Sequence, residues 1–480
     1  MLAGLPNERS ILDQDGVLQS VYDEIRDVYR RYPQPWVIGY SGGKDSTTVL
    51  QLVWNAIKEL PPEERQKPIF VIASDTKVET PVIVDYIDNT LRRINEAALE
   101  QGMPFSAEKV MPTLNDSFWV NLIGRGYPAP TSRFRWCTER MKINPANRFI
   151  EEKVAQYGEV IMVLGVRKSE SATRMQLMST YQVKGHVLRR HGTLPGAYVY
   201  APIADFSTDD VWTYLLQVPS PWGSNNRDLS ALYRNASAAG ECPLVIDTTT
   251  PSCGNSRFGC WVCTVARRDS SMEALIDNGE EWMLPLLEFR DWLLETTEPE
   301  RKREFRDIRG RDGRVVFKKD GTLAARTYKL ETSKKMLEQV LRAQRDVRKD
   351  GPDPNMELIT TEELHEIRRL WRIERQDWED SVPQIFRKVT GEDLNWSKDD
   401  DGTFDTDQKE LLSSLCQEYE VPFGLVARLL EVERQSTGMT RRASVQRTLQ
   451  AVLSQEWENE AAIMDAAREQ QQVGTWLRGV

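Results

Sequence analysis

The sequence predicts an α/β domain with a doubly wound, mostly parallel sheet, followed by a mainly helical C-terminal region. Three observations carry that expectation. Apolar runs of strand length recur at Trp36–Tyr40, Pro68–Asp75 and Val160–Gly165. Patterns of helical period lie between them, as crossover helices do between parallel strands. From about residue 270 onward the strand-like runs give way to stretches rich in Leu, Trp and Glu.

Residues 1–35 suggest a helix leading into the first strand. After that strand comes Ser41-Gly42-Gly43-Lys44-Asp45-Ser46, then Thr47–Val53 as the start of a helix with one apolar side. A strand, a glycine turn and a helix N-terminus make an anion site, because helix-end N–H groups and the helix dipole converge there. Gly42 and Gly43 are expected to take positive φ and admit a close backbone approach. Lys44 supplies a charge, and Ser41 and Ser46 supply hydroxyls, so a pyrophosphate is the expected guest. The common ATPase loop G-x-x-x-x-G-K-[ST] does not fit, since Asp45 follows Gly43-Lys44 and Ile38 stands where the first glycine belongs. The second strand ends at Asp75, where a carboxylate can meet a ribose or adenine at the carboxyl edge of a sheet. Glu79–Glu100 reads as the next helix, and the third strand ends at Gly165.

Beyond it, Met272–Glu300 and Glu331–Lys349 read as helical, Asp350–Asn355 as a linker, and Asp399–Gly402 as a polar break. The domain expectation is 1–270 for the α/β part with a cysteine loop at 242–263, 271–350 for a helical segment with a basic hairpin, and 351–480 for a helical tail. The tail carries no catalytic motif and reads as an interaction or architectural module.

A chain of 480 residues with 40% hydrophobic and 28% charged residues has the composition of a globular protein of two or three domains. No apolar run is long enough to span a bilayer, and Met1–Arg9 lacks the basic and apolar regions of a secretory signal. A cytoplasmic, reducing compartment is expected, with no membrane partner. The net charge of −10 argues against a broadly basic nucleic-acid binder. Residues 301–350 nevertheless hold 17 Lys and Arg against 8 Asp and Glu. Within them Arg309–Gly321 reads as a basic hairpin able to track a phosphate backbone. Arg125, Arg133, Arg135, Arg140, Lys142 and Arg148 form a second basic stretch.

Of six cysteines, Cys242, Cys253, Cys260 and Cys263 lie in the pattern C-x10-C-x6-C-x2-C, within a segment rich in Gly and Ser. Four thiolates suit an iron–sulfur cluster or a structural zinc. Iron–sulfur is preferred, because zinc ribbons usually show two C-x-x-C knuckles and here there is one. Cys137 stands apart among Arg133, Arg135, Arg140 and Lys142, cations that favour its thiolate. It is either a sulfur carrier or a cluster ligand. Cys416 reads as a helix core residue. Only His186, His191 and His365 are present, too few and too scattered for a His-based hydrolase; His186 and His191, around Arg189-Arg190, read as solvated.

The glycine turn resembles the SGGxDS loop of the PP-loop ATP pyrophosphatases, of the adenine nucleotide α-hydrolase type. Three further motifs accompany it: Gly165-Val166-Arg167-Lys168-Ser169-Glu170-Ser171-Ala172-Thr173-Arg174; Tyr200–Ile203 leading into Asp209–Leu215; and Arg135-Trp136-Cys137-Thr138. Together they resemble the phosphoadenosine phosphosulfate (PAPS) reductase family. In that family the arginines of the second motif meet nucleotide phosphates. The resemblance implies nucleotide contacts from Ser41 to Ser46, Asp75, Gly165, Arg167 and Glu170, with Arg167 and Arg174 clamping an oxyanion. Unlike a PAPS reductase, this chain keeps the intact glycine loop, the cysteine cluster and a long helical tail.

That combination is similar to the DndC family of ATP pyrophosphatases from bacterial DNA phosphorothioation systems. It implies ATP with Mg²⁺, a 4Fe–4S cluster on Cys242, Cys253, Cys260 and Cys263, and catalysis by Lys44, Asp45, Cys137, Arg167 and Arg174. The implied partners are a cysteine desulfurase, other Dnd proteins and DNA. In related iron–sulfur sulfonucleotide reductases a cysteine matching Cys137 is a ligand, so five thiols compete for four iron positions. A tRNA thiolase, a sulfonucleotide reductase and a non-enzymatic iron–sulfur scaffold are the alternative readings.

Overall fold

The computed structural model describes residues 16–168, 187–235, 259–396, 404–436 and 443–466. The chain forms two compact units, residues 1–118 with 130–290, and residues 119–129 with 291–480.

The first unit holds a six-stranded sheet of β1 (Trp36–Gly39), β2 (Ile69–Ser74), β3 (Phe105–Val110), β4 (Val160–Val163), β5 (Arg189–Arg190) and β6 (Ala197–Tyr200). The order is β3-β2-β1-β4-β6-β5, parallel throughout except for β5 against β6. Strand residues alternate between the two faces. Trp36, Ile38, Ile69, Val71, Ile161 and Val163 join one core, with α1 (Val17–Arg31), α2 (Lys44–Lys58), α3 (Pro81–Glu100) and α5 (Thr208–Gln217). Val37, Ile72, Val160 and Met162 face the other core, with Ala146, Phe149 and Ile150 of α4 (Asn144–Tyr157). A sheet covered by helices on both faces needs strands apolar on both sides, which is why β1 and β4 are buried at every position. Pro81 and Pro145 stand in the first turns of α3 and α4, and a Ser207–Asp210 capping box starts α5.

Sequence periodicity found β1, β2 and β4 but not β3, β5 or β6. β3, Phe105-Ser106-Ala107-Glu108-Lys109-Val110, is an edge strand whose apolar signal is broken by charges. β5 has two residues, both arginine, whereas β6, Ala197-Tyr198-Val199-Tyr200, is as long as β1 and β4, so its length does not account for the miss. Met272–Glu300 forms two helices, α7 (Ser270–Asp277) and α8 (Leu284–Glu295), interrupted at Gly279 with φ +110. A short helix α6 (Asn226–Asn235) follows α5.

The second unit is mainly helical: α9 (Leu330–Asp350), α10 (Thr361–Glu374), α11 (Ser381–Thr390), α12 (Thr406–Glu418), α13 (Phe423–Gln435) and α14 (Ala443–Leu453). The excursion 119–129 belongs to it. Trp119 donates its indole N–H to Leu358 O at 2.6 Å, and Trp371 of α10 donates to Ile123 O at 2.9 Å. Thr360 and Glu363 form a capping box at α10. Arg368 holds the Asp380 carboxylate with two hydrogen bonds, at 2.8 and 2.6 Å. The expected basic hairpin is instead two successive tight turns. They are closed by bridges Arg309–Val315 and Phe317–Leu323, with Gly313 and Gly321 at positive φ. Cys416 is buried, as expected of a helix core residue. No described helix is long and apolar enough to cross a membrane.

Candidate functional site

From β1 the chain winds through α2 and α3 toward β2 and β3, then returns to add β4 on the other side of β1. The carboxyl ends of β1 and β4 therefore flank the topological switch point, where open α/β sheets leave a crevice. The glycine turn follows β1 there, and Gly165-Val166-Arg167 follows β4.

The turn is built by local bonds. Ser41 N donates to Ser46 Oγ at 3.2 Å, and Ser46 and Thr47 hydroxyls both donate to Gly43 O at 2.9 Å. Gly42 has φ +71, and a Cβ there would stand 3.3 Å from Ile87. Gly43 differs from the expectation: it is extended, φ −85 and ψ 164, and serves as the N-cap of α2. One glycine turns the chain and the other only lets it pass. Gly165 has another reason to lack a side chain, since a Cβ would lie 2.9 Å from the Asp45 carbonyl carbon and oxygen.

Lys44, Asp45 and Arg167 are all buried. Asp45 accepts from Lys44 Nζ on one oxygen and from Arg167 Nε on the other, each at 2.7 Å. Arg167 Nη1 also donates to Thr208 Oγ1 at 3.2 Å. Two cations thus share one carboxylate at a helix N-terminus, an arrangement that favours an added anion. Tyr233, which sequence reasoning missed, accepts from Lys44 N at 3.0 Å and sets its ring under the ammonium, 5.5 Å from the centroid. Asp75 follows β2, as expected. It accepts from Lys77 N at 2.8 Å and pairs with Lys109 Nζ at 3.0 Å. Glu170, Arg174 and His186 lie outside the described residues. His191 is buried rather than solvated; its Nδ1 accepts from Leu194 N at 3.0 Å and closes a turn.

A second feature lies in the same unit. A cavity of about 440 Å³ is lined by Cys137, Cys260 and Cys263 together with Arg135, Lys142, Arg268 and Arg290. Cys137 sits in the first turn of a helix that continues through a π-helical turn, Glu139–Ile143, into α4. Cys260 forms a bridge with Glu79, Trp261 N donates to Val78 O, and Cys263 N donates to Cys260 O. Arg290 is buried and holds this loop from behind, donating to Cys263 O and Arg267 O at 3.0 Å and also to Ala266 O. Burial, then the adjacent Glu79, push the Cys260 thiol well above its ordinary range, against the pull of Lys142. Burial likewise raises the Glu79 carboxyl, while Lys142 Nζ lies 3.8 Å from it.

Among the described residues no three His, Cys, Asp or Glu side chains converge closely enough for one metal ion. Cys137, Cys260 and Cys263 around one cavity are donors of the kind that a cubane cluster takes at its corners and that a zinc ion also takes. Nε and Nη1 of Arg135 are buried without an acceptor among the described residues, which fits an anionic guest beside the thiols. Cys242 and Cys253 lie outside the described residues. The spacing left Cys137 open as carrier or ligand; the fold brings it to the same cavity as the C-x-x-C pair.

The basic stretch between 125 and 148 is partly committed. Arg140 pairs with Asp116 at 2.6 Å, and Arg148 donates to Met111 O at 3.0 Å.

Comparison with known proteins gives two family matches. Residues 35–266 match the phosphoadenosine phosphosulfate reductase domain. Residues 407–454 match a small protein found in certain Dnd DNA modification systems. An uncharacterised protein of Methanocaldococcus jannaschii is 27% identical over 201 residues, 41% of this chain; the alignment spans 35% of that relative's length. Among solved structures, the PAPS reductase of Candida auris, as a phosphate complex, aligns at 14% identity and TM-score 0.27, covering 45% of this chain and 92% of its own. The U34-tRNA thiolase NcsA of Methanococcus maripaludis, with its 4Fe–4S cluster, aligns at 15% identity and TM-score 0.28, covering 59% and 82%. FMN adenylyltransferase of Candida glabrata, with FAD and inorganic pyrophosphate, gives 14% and 0.29, covering 50% and 67%.

Proposed function

We propose that this chain cleaves ATP to AMP and pyrophosphate and, in doing so, adenylates a backbone phosphate oxygen of DNA for exchange with sulfur, the role of DndC. The observation that carries this reading is the Lys44–Asp45–Arg167 group beside the glycine turn, at the switch point between β1 and β4. A PAPS reductase domain and a Dnd-associated segment in one chain support it.

ATP lays its phosphates along Ser41–Ser46 with Mg²⁺. Lys44 turns from Asp45 to the phosphates and stabilises the charge that grows on the leaving pyrophosphate. Arg167, with Arg174, holds the α-phosphate side; Asp45 keeps the two cations oriented, and Asp75 meets the nucleoside. The acceptor oxygen attacks the α-phosphorus and pyrophosphate departs, leaving an adenylated phosphate whose AMP is then displaced by sulfur. Cys137 carries that sulfur as a persulfide; its outer sulfur bonds to the phosphorus as AMP leaves, and a thiol reductant then cleaves the S–S bond, releasing the phosphorothioate and leaving a disulfide on Cys137. Cys260 and Cys263, with Cys242 and Cys253, hold the 4Fe–4S cluster, which when bound supplies redox or sulfur-relay chemistry. A cysteine desulfurase loads the sulfur, and the other Dnd proteins present the DNA.

The test is Lys44→Ala. AMP and pyrophosphate formation is expected to fall at least about 100-fold, the scale of losing a transition-state charge partner. Mass spectrometry of nuclease-digested DNA from cells carrying the variant should lose the phosphorothioate-linked dinucleotide. Unchanged dinucleotide would sink the reading. ATP cleavage that persists in the wild-type protein without any DNA sulfur would move the acceptor elsewhere.

A further inference from the structure

Helix α12 has thirteen residues, of which only Cys416 is buried. A helix of this length is marginal on its own in water, within the range of about 12–15 residues below which isolated helices are not stable. Its apolar side chains are not scattered. Leu411 and Leu415, with Tyr419 at the C-cap, repeat every four residues as one ridge, and they are 62%, 42% and 68% exposed. Asp407, Glu410, Glu418 and Glu420 border the ridge and are exposed. Lys409, the base of this helix, is paired with Glu379 at 2.6 Å. An apolar ridge with an acidic border calls for an apolar surface with a basic one.

The same unit offers that surface elsewhere. At the junction of the two tight turns, Val316 and Phe317 are 43% and 41% exposed. Arg314, Lys318 and Lys319 surround them, all exposed. The nearby acids Asp312 and Asp320 accept backbone N–H groups of Arg314 and Thr322 within their turns, and Arg314 Nε lies 3.9 Å from Asp312, while Lys318 and Lys319 form no ion pair with a carboxylate among the described residues. Arg309 and Arg311 are engaged with Glu456 O and Glu374. Both patches are exposed in one copy of the chain, so neither covers the other within it.

We propose that a second copy of this chain covers the α12 ridge. The Val316–Phe317 turns of each copy seat on Leu411, Leu415 and Tyr419 of the other, with Arg314, Lys318 and Lys319 against the acidic border. A two-fold pair makes both contacts at once and closes, whereas a single contact repeated head to tail would grow without limit. This inference is independent of the chemistry proposed above.

The test is sedimentation velocity of the full chain at rising concentration, in low salt and in about 1 M salt, where screening is nearly complete beyond contact distance. The wild type is expected to dimerise in low salt and to weaken in high salt. Leu411→Glu with Leu415→Glu should leave a monomer with unchanged circular dichroism, since both side chains are exposed. Glu410→Lys with Glu418→Lys, or Arg314→Glu with Lys318→Glu and Lys319→Glu, should each weaken the dimer about tenfold. Mixing the two charge-reversed proteins should recover part of the loss. A wild type that stays monomeric to about 100 μM overturns the proposal, even if another Dnd protein protects α12. A dimer indifferent to all these variants overturns it equally. So does a turn variant that loses DNA affinity while keeping the dimer.

Discussion

Asp45 carries two cations at once, one from its own helix and one from the loop after β4. All three side chains are buried, and removing one partner of a buried charge group costs about 3–5 kcal/mol. Asp45→Asn is therefore expected to lower the melting temperature, leaving Lys44 and Arg167 without their shared anion. Inorganic pyrophosphate should then raise the melting temperature of the variant more than that of the wild type, because it replaces the missing charge. Equal stability of the two proteins without ligand would show that the group is solvated and would remove the argument. Lys44, Asp45 and Arg167 were all legible in the sequence as motif residues. Their mutual pairing was not, because Asp45 and Arg167 are 122 positions apart. Tyr233 gave no signal at all: a tyrosine in a helical pattern is ordinarily core, and only the packing of α6 brings its hydroxyl to Lys44 N.

At the scale of elements, the C-x-x-C turn is held by a side chain from another helix. Arg290 of α8 donates to the carbonyls of Cys263, Ala266 and Arg267. Arg290→Met would leave three carbonyls without their donor, each bond contributing about 1 kcal/mol or more. The loop is expected to open locally, and alkylation of Cys260 and Cys263 in the metal-free protein should quicken on the order of tenfold. Unchanged rates would mean that the bridge from Glu79 to Cys260 holds the loop by itself. Periodicity found β1, β2 and β4 because central parallel strands are apolar on both faces. It missed β3 and β5, which lie at the edges where charged residues interrupt the pattern, and also β6, an internal strand as short and as apolar as β1 and β4. It likewise read one hairpin where Gly313 and Gly321 turn the chain twice.

At the scale of the whole molecule, the composition change near residue 270 suggested a first domain of 1–270, whereas the first compact unit runs to Arg290 and omits 119–129. That excursion puts Trp119, Val120, Leu122 and Ile123 into the core of the second unit. A fragment ending at residue 290 would keep this segment and lose its packing partners. It is expected to bind a hydrophobic dye and to aggregate at concentrations where the full chain does not. Replacing Trp119, Leu122 and Ile123 by polar residues in the fragment should relieve both effects. A well-behaved, dye-negative fragment would contradict the assignment of 119–129.

The sequence by itself determined the class of fold and the succession of strand, glycine turn and helix after β1. These rest on neighbours in the chain: a run of apolar residues, a glycine turn, a helix start. Only the tertiary structure decided which residues meet across the switch point, and that Cys137 joins Cys260 and Cys263 around one cavity. It also left Leu411, Leu415 and Tyr419 uncovered. Those are contacts between distant segments, fixed by how the sheet orders its strands and how helices pack, and no local pattern of residues encodes them.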